Sequence, residues 1–383
     1  MSWTFADLTT RAANPPAFSA AGNLFGYGVP DCSQSGFSGG CPIRIARVVY
    51  RGTDNNIYEL ALVEGQWRHA NLLAVAQSDL SPGGRAYPAL SDPTAFVAVR
   101  TDLNNEAIAT VVYEGFDGYI YQLSLSSGGW AWDNISTLNM TKPATLAAGR
   151  PFGYATNDGY NRVVYRGIDN YIYELSAQSI FWACNNLSTN DKAEKPAPAA
   201  AGDPFGYITY GGVPGGVPRV IYRGTNGHIY ELHPEPFWRC NDLSEISSAP
   251  PAAGDPFGYQ TKDGIARVIY RDAEGQIIEL ALLERWTAAS LSTNDKAAPP
   301  APPAAGNPFG YVTNDGVPRV VYRGTNGDIF ELHPEPFWRC NDLSQISSAP
   351  PAAGDPFGYF IGDDIPRVIY RNTNNHVCEL ALL

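Results

Sequence analysis

Histidine, methionine and runs of like charge are scarce in this sequence, and each scarcity closes off a class of function. Five His residues are scattered along 383 residues with no Cys-x-x-Cys, so no zinc-ligand spacing is present and no metal site is expected. His233 and His333 hold equivalent places in a repeat, so they are not two halves of one site. There is no Gly-x-Ser-x-Gly, His-Glu-x-x-His, P-loop or EF-hand spacing, so the sequence offers no catalytic set and calls for no cofactor. The 26 basic and 38 acidic residues give a net charge of −12. The basic residues form no run, which argues against nucleic acid or an anionic membrane as partner. No stretch of roughly eighteen apolar residues exists, so no membrane insertion is expected. Met1 to Pro16 has neither a basic start nor an apolar core. The chain therefore reads as having no signal peptide, and as cytoplasmic or released by an unconventional route. Helical periodicity is missing as well, and helix content is expected near zero.

What is abundant is a repeat. Its clearest form runs Ala-Ala-Gly-[Asp/Asn]-Pro-Phe-Gly-Tyr, then Arg-Val-[Val/Ile]-Tyr-Arg, then [Ile/Val]-[Tyr/Phe]-Glu-Leu, then a Trp segment of form Trp-x₄-Leu-Ser. The central Tyr recurs seven times, at Tyr50, Tyr113, Tyr165, Tyr222, Tyr270, Tyr322 and Tyr370. Each unit supplies four short pieces rich in β-branched and aromatic residues, joined by Asn-Gly and Asn-Asn hairpin turns. Pro-rich segments such as 195–202 and 298–303 join the units and exclude helix there. The last unit ends at Leu383 without a Trp segment, while Trp3 to Thr9 supplies one at the start of the chain. These features predict an all-β fold: a seven-bladed β-propeller with four antiparallel strands per blade, closed by the N-terminal strand completing the last blade. One domain covers 1–383. Blades are expected at about 17–73, 84–138, 147–188, 200–244, 252–292 and 304–344, with blade 7 formed by 352–383 plus 1–9. Units 4 and 5 match units 6 and 7 at an offset of 100 residues, which marks a duplicated pair.

Three side-chain types recur together. An Arg follows the central Tyr at Arg51, Arg166, Arg223, Arg271, Arg323 and Arg371. A Glu lies eight residues further on, at Glu59, Glu174, Glu231, Glu279, Glu331 and Glu379. A Trp follows at Trp67, Trp182, Trp238, Trp286 and Trp338, with Trp3 serving the last blade. An aromatic face covers the C–H side of a sugar ring, while Arg and Glu hold vicinal hydroxyls through charge-assisted hydrogen bonds. The competing structural reading makes Arg and Glu a cross-strand ion pair and Trp a wedge between blades. The hairpin register that decides between them is not readable here. Unit 2 departs, with Thr110 and Glu114 in its Arg positions, Gln122 for Glu and no Phe-Gly-Tyr, and no sugar is expected through its own set. Cys184, Cys240 and Cys340 share one slot in different blades and read as small buried thiols, with Cys378 replacing an aromatic residue. Whether Cys32 and Cys41, in the Gly28 to Ile43 insertion of unit 1, pair as a disulfide is left open.

The repeated Arg-Val-Val-Tyr-Arg-Gly-Thr and Ile-Tyr-Glu-Leu followed by Trp-x₄-Leu-Ser, in seven copies with N-terminal closure, resembles the seven-bladed β-propeller lectins of the Photorhabdus lectin type. It is more distantly similar to the six-bladed fucose-binding lectins of fungi and bacteria. The resemblance implies a multivalent, metal-free sugar-binding protein rather than an enzyme, with glycans such as L-fucose held between blades by residues of the Arg166, Glu174 and Trp182 type. A propeller scaffold or toxin component that binds protein is the second expectation, and a propeller enzyme the third. A homo-oligomer is compatible with the sequence, the unit 1 insertion offering a contact surface.

Overall fold

The computed structural model describes residues 2–12, 17–30, 44–76, 86–100, 106–126, 128–138, 140, 143–156, 158–177, 181–189, 196–211, 216–234, 237–293, 300–334 and 337–383. The pair Cys32 and Cys41 lies outside them. Seven four-stranded antiparallel sheets follow one another in chain order. In blade 1 the strands are Phe25–Pro30, Arg44–Arg51, Ile57–Val63 and Gln66–Asn71, from the axis outward. In blade 7 the outermost strand is Trp3–Asp7, paired with Val377–Leu382 from Trp3 opposite Leu382 to Asp7 opposite Cys378. The ring is thus closed as expected, and no sheet edge is left for another chain at that seam.

Each part of the repeat has an identifiable task. The central Tyr is fully buried in all seven blades. Its hydroxyl donates to a backbone carbonyl in the linker that enters the same blade, as from Tyr222 to Pro198 at 2.9 Å and from Tyr370 to Pro350 at 2.9 Å. The Ser of Trp-x₄-Leu-Ser accepts from the first amide of the third strand, as Ser188 does from Ile172 at 2.9 Å. Thr9 plays that part for Val377 across the seam at 2.8 Å. The hairpin turn between second and third strands holds a residue with positive φ, at Asn55, Gly118, Asn170, Gly227, Gly275, Gly327 and Asn375. The carbonyl of that residue accepts from an Ala amide of the next blade at 2.7–2.9 Å, from Ala89 to Asn55 round to Ala20 and Asn375. The Asn-Gly and Asn-Asn turns therefore serve as hairpin corners and as the backbone clasp between neighbours.

The Phe-Gly-Tyr strand lies innermost and builds the contact between blades. The Tyr ring of one blade lies over the Gly of the next. A Cβ on Gly206 would stand 2.2 Å from the Tyr154 ring, and one on Gly26 would stand 2.5 Å from Tyr359. Blade 2 has Thr94, Ala95 and Phe96 in these three places. The Phe side chains form a ring of contacts about the axis, with centroids 3.7–4.2 Å apart from Phe25 through Phe357, Phe309, Phe257 and Phe205 to Phe152. Between Phe152 and Phe25, where blade 2 contributes Thr94, the spacing opens to 6.0 Å.

Helix content among the described residues is low, as expected, and one expectation needs correction. The helix present takes the form of single turns of four or five residues at Leu8–Arg11, Leu72–Val75, Leu243–Ser247 and Leu343–Ser347. Each follows an outer strand and is capped by Asp or Asn, which accepts an amide three residues on and so starts a turn too short to show periodicity. Cys184, Cys240 and Cys340 are partly exposed beside the central Tyr hydroxyls, not buried, whereas Cys378 is buried. Among the described residues, no helix is long and apolar enough to cross a membrane.

Gly206→Ala is expected to destabilise the protein by about 1–3 kcal/mol, because Tyr154 is held in place and has nowhere to retreat. Gly211→Ala, where a Cβ meets nothing within 4 Å, is the matched control. Denaturant midpoints of the two variants check this; equal midpoints would show that the Tyr-on-Gly contact is slack.

Candidate functional site

Strand register settles where the recurrent Arg and Glu lie. Arg51 stands opposite Ile57, and Glu59 opposite Val49, so both project from one face of the blade. They do not pair. The Glu takes the other Arg of the second strand, the one that opens Arg-Val-Val-Tyr-Arg. The contacts are Arg47–Glu59 at 2.6 Å, Arg162–Glu174 at 2.8 Å, Arg219–Glu231 at 2.8 Å, Arg267–Glu279 at 2.7 Å and Arg319–Glu331 at 2.9 Å. The Tyr of Phe-Gly-Tyr donates to the same carboxylate, as from Tyr27 to Glu59 at 2.7 Å and from Tyr207 to Glu231 at 3.2 Å. Six blades thus carry a Tyr–Glu–Arg triad. Blade 2 replaces all three members, with Phe96, Thr110 and Gln122.

The Trp lies on the opposite face of its own blade, since Trp67 opposes Leu62 and not a residue of the Glu row. It therefore faces the preceding blade. Trp286 packs in one cluster with Tyr207, Trp3 with Tyr311, and Trp182 with Phe96. The predicted Glu and Trp thus lie across a cleft from each other, the Glu in a triad on one blade and the Trp on the next, at every cleft but that between blades 2 and 3. A member missed in the sequence is Trp130, opposite Leu125 in blade 2 and facing the triad of blade 1. It lies eight residues after Gln122, the same offset as Trp67 from Glu59, and was masked by the change from Glu to Gln. The clefts differ in access. Trp67, Trp182, Trp286 and Trp3 are buried, whereas Trp130, Trp238 and Trp338 are partly exposed. The last three face the complete triads of blades 1, 3 and 5.

The carboxylates are buried, and burial is the largest influence on them. It pushes Glu59, Glu174 and Glu279 upward against the opposing pull of their Arg partners. Burial pushes Glu379 up to about 7. Its Arg367 turns to Asp363 at 2.6 Å and comes no nearer to Glu379 than 3.6 Å.

The other Arg, which the sequence reading put in the sugar set, goes elsewhere. Arg51, Arg166, Arg223, Arg271, Arg323 and Arg371 turn toward the axis and the Asp or Asn that precedes the innermost strand of the next blade. Arg51 meets Asp92 at 3.3 Å, Arg223 meets Asp255 at 3.6 Å and Arg323 meets Asp355 at 3.7 Å. These Asp residues stand above the Phe ring around a central cavity of about 750 Å³. Asp203 and Glu114 line the same cavity, and burial pushes their carboxyls up to about 6 and about 7.

No protein-family model matches the sequence, and no curated protein matches it. Solved structures do share the fold. AofleA from Arthrobotrys oligospora superposes with a TM-score of 0.54 at 14% identity, over 88% of each chain. The fungal lectin of Aleuria aurantia, a six-bladed β-propeller, gives 0.51 at 13% identity, over 88% of this chain and all of that one. The α-L-arabinofuranosidase Arb93A from Fusarium graminearum gives 0.50 at 11% identity, over all of this chain and 97% of that one. At these identities the likeness is one of fold.

Glu379→Gln gives a pH test of the triads. A folded-state pKa raised from 4.5 to about 7 costs the native state stability as pH climbs through that window. The wild type therefore loses on the order of 1–3 kcal/mol between pH 4.5 and 7 that the Gln variant keeps. Thermal melts are expected to favour Glu379→Gln more at pH 8 than at pH 5. An unchanged difference between the two pH values would mean that Glu379 is ionised throughout.

Proposed function

We propose that this propeller is a multivalent carbohydrate-binding protein that takes terminal monosaccharides, L-fucose foremost, in the clefts between neighbouring blades. The observation that carries the reading is the repeated opposition of a Tyr–Glu–Arg triad on one blade and a Trp on the next. The Tyr hydroxyl donates to the Glu carboxylate, which accepts from the guanidinium, so the Arg is oriented before a ligand arrives. A Trp face covers the C–H side of the sugar while the guanidinium N–H groups meet its hydroxyls. Each such site is weak, and several on one rigid ring gain avidity on a glycan-coated surface. One arrangement repeated around a ring favours binding over turnover at a single centre.

Two further points support the choice of ligand and relatives. The Aleuria aurantia protein that shares this fold is named as a fucose-specific lectin. Seven blades fit the Photorhabdus lectin type better than the six-bladed fungal one. Within this reading the working clefts are the three whose Trp is partly exposed: Arg47, Glu59 and Trp130; Arg162, Glu174 and Trp238; Arg267, Glu279 and Trp338. Arg51 lines the central cavity, and it and its equivalents lie outside this cleft set.

Calorimetric titration with L-fucose is expected to give about three sites per chain rather than seven. Trp238→Ala is expected to remove one of them while the other two keep their affinity. On a glycan array, terminal fucose should give the strongest signals, competed by the free sugar. A well-folded protein that lights no glycan would sink the reading and favour a protein-binding scaffold.

A further inference from the structure

The cavity mouth breaks its sevenfold pattern in one sector. Where six blades place Arg after the central Tyr, blade 2 has Glu114. Where six blades place Asp or Asn two residues before the innermost strand's first residue, five of them before a Pro and blade 1 before Leu24, blade 3 has Arg150. The small residue after the clasp Ala is Ala in six blades and Leu90 in blade 2. The turn residue that is Thr or Ala in five blades is Ile168 in blade 3. All four line the same cavity. Random drift would scatter such changes over the ring. Leu90 and Ile168 are 46% and 62% exposed, so packing does not account for them.

The polar groups there have unmet capacity. Arg150 lies over the Phe25 ring at 5.7 Å, in the gap left by Thr94, and one of its terminal nitrogens donates to the Pro93 carbonyl at 3.1 Å. Its Nε is buried with no hydrogen-bond partner among the described residues. Oδ1 of Asp255 is likewise without one, its nearest cation being Arg223 at 3.6 Å. Buried donors and acceptors are normally paired, and since the residues Arg150 and Asp255 both line the cavity, a ligand bearing acceptors and donors would meet a cation on one side and a carboxylate on the other. The tilted rings of the Phe residues supply an apolar floor. About 750 Å³ falls within the range of small-molecule pockets, roughly 300–1,000 Å³.

We infer that the central cavity is a second, single-copy site for an amphipathic glycoside. The sugar ring lies over the Phe floor with hydroxyls toward Arg150 and Asp255, and an apolar substituent rests on Leu90 and Ile168. This site is independent of the interblade clefts. It is tested by calorimetric titration of the whole chain with methyl α-L-fucopyranoside and with p-nitrophenyl α-L-fucopyranoside. The aryl glycoside is expected to fill one more site per chain than the methyl glycoside, whatever number the clefts take. The double variant Leu90→Ala, Ile168→Thr restores residues that other blades carry, so its melting temperature should be unchanged. It is expected to weaken the additional site about tenfold and leave the others alone. Equal numbers of sites for the two probes, or an additional site indifferent to the double variant, would overturn the inference. Loss of cleft binding with the additional aryl site retained would instead remove only the cleft reading.

Discussion

A tyrosine ring laid on a bare glycine is the contact on which this molecule is built. It recurs wherever Phe-Gly-Tyr follows itself around the ring, and it brings neighbouring backbones closer than any side chain on the Gly would permit. Three consequences follow from that one approach. The preceding Phe residues are carried inward until they touch about the axis. The Tyr hydroxyl is placed beside the Glu of its own blade, which fixes the Arg above it. The next blade is turned so that its Trp looks into the cleft. Axis, triad and cleft wall are therefore one geometric solution.

The buried ion pairs follow from the same geometry and are kept for position more than for stability. Two charges drawn out of water repay their desolvation only when closely paired and further hydrogen-bonded. Five triads meet that condition with contacts of 2.6–2.9 Å. Blade 7 meets it less well, and there the acid is pushed up to about 7. Blade 2 shows the other way out. It has lost Tyr hydroxyl, Arg and Glu together, which leaves no orphaned charge, whereas loss of one member alone would strand the others.

The fold was legible because its signals are local and repeated. Seven Tyr copies counted the blades, and a Trp segment at the wrong end of the chain located the seam. The site was only half legible. Arg, Glu and Trp were visible as types, but two Arg residues flank the central Tyr in six of the seven units, and sequence alone could not say which one the Glu would take. That depends on what waits at each end of the strand: the Tyr–Glu pair at one, the Asp or Asn of the next blade at the other. The facing of Trp toward the preceding blade was hidden for a similar reason, because alternation gives opposite faces but not which neighbour each face meets. Trp130 was hidden by the unit's other departures, and the converging changes at the cavity mouth lie in different blades and meet only when the ring is closed.

The Phe ring bears on how such a protein can change its size. A segment spanning parts of two blades has been copied once, as the near-identity of 216–259 and 316–359 records. Yet each added or deleted sector changes the circumference at the axis, where six aromatic rings and one Thr now meet with Arg150 in the remaining gap. A descendant with eight sectors would open a pore there, and one with six would crowd it. Selection on the number of sectors would act first at this narrow keystone, through the one irregular position, and only afterwards on the clefts at the rim.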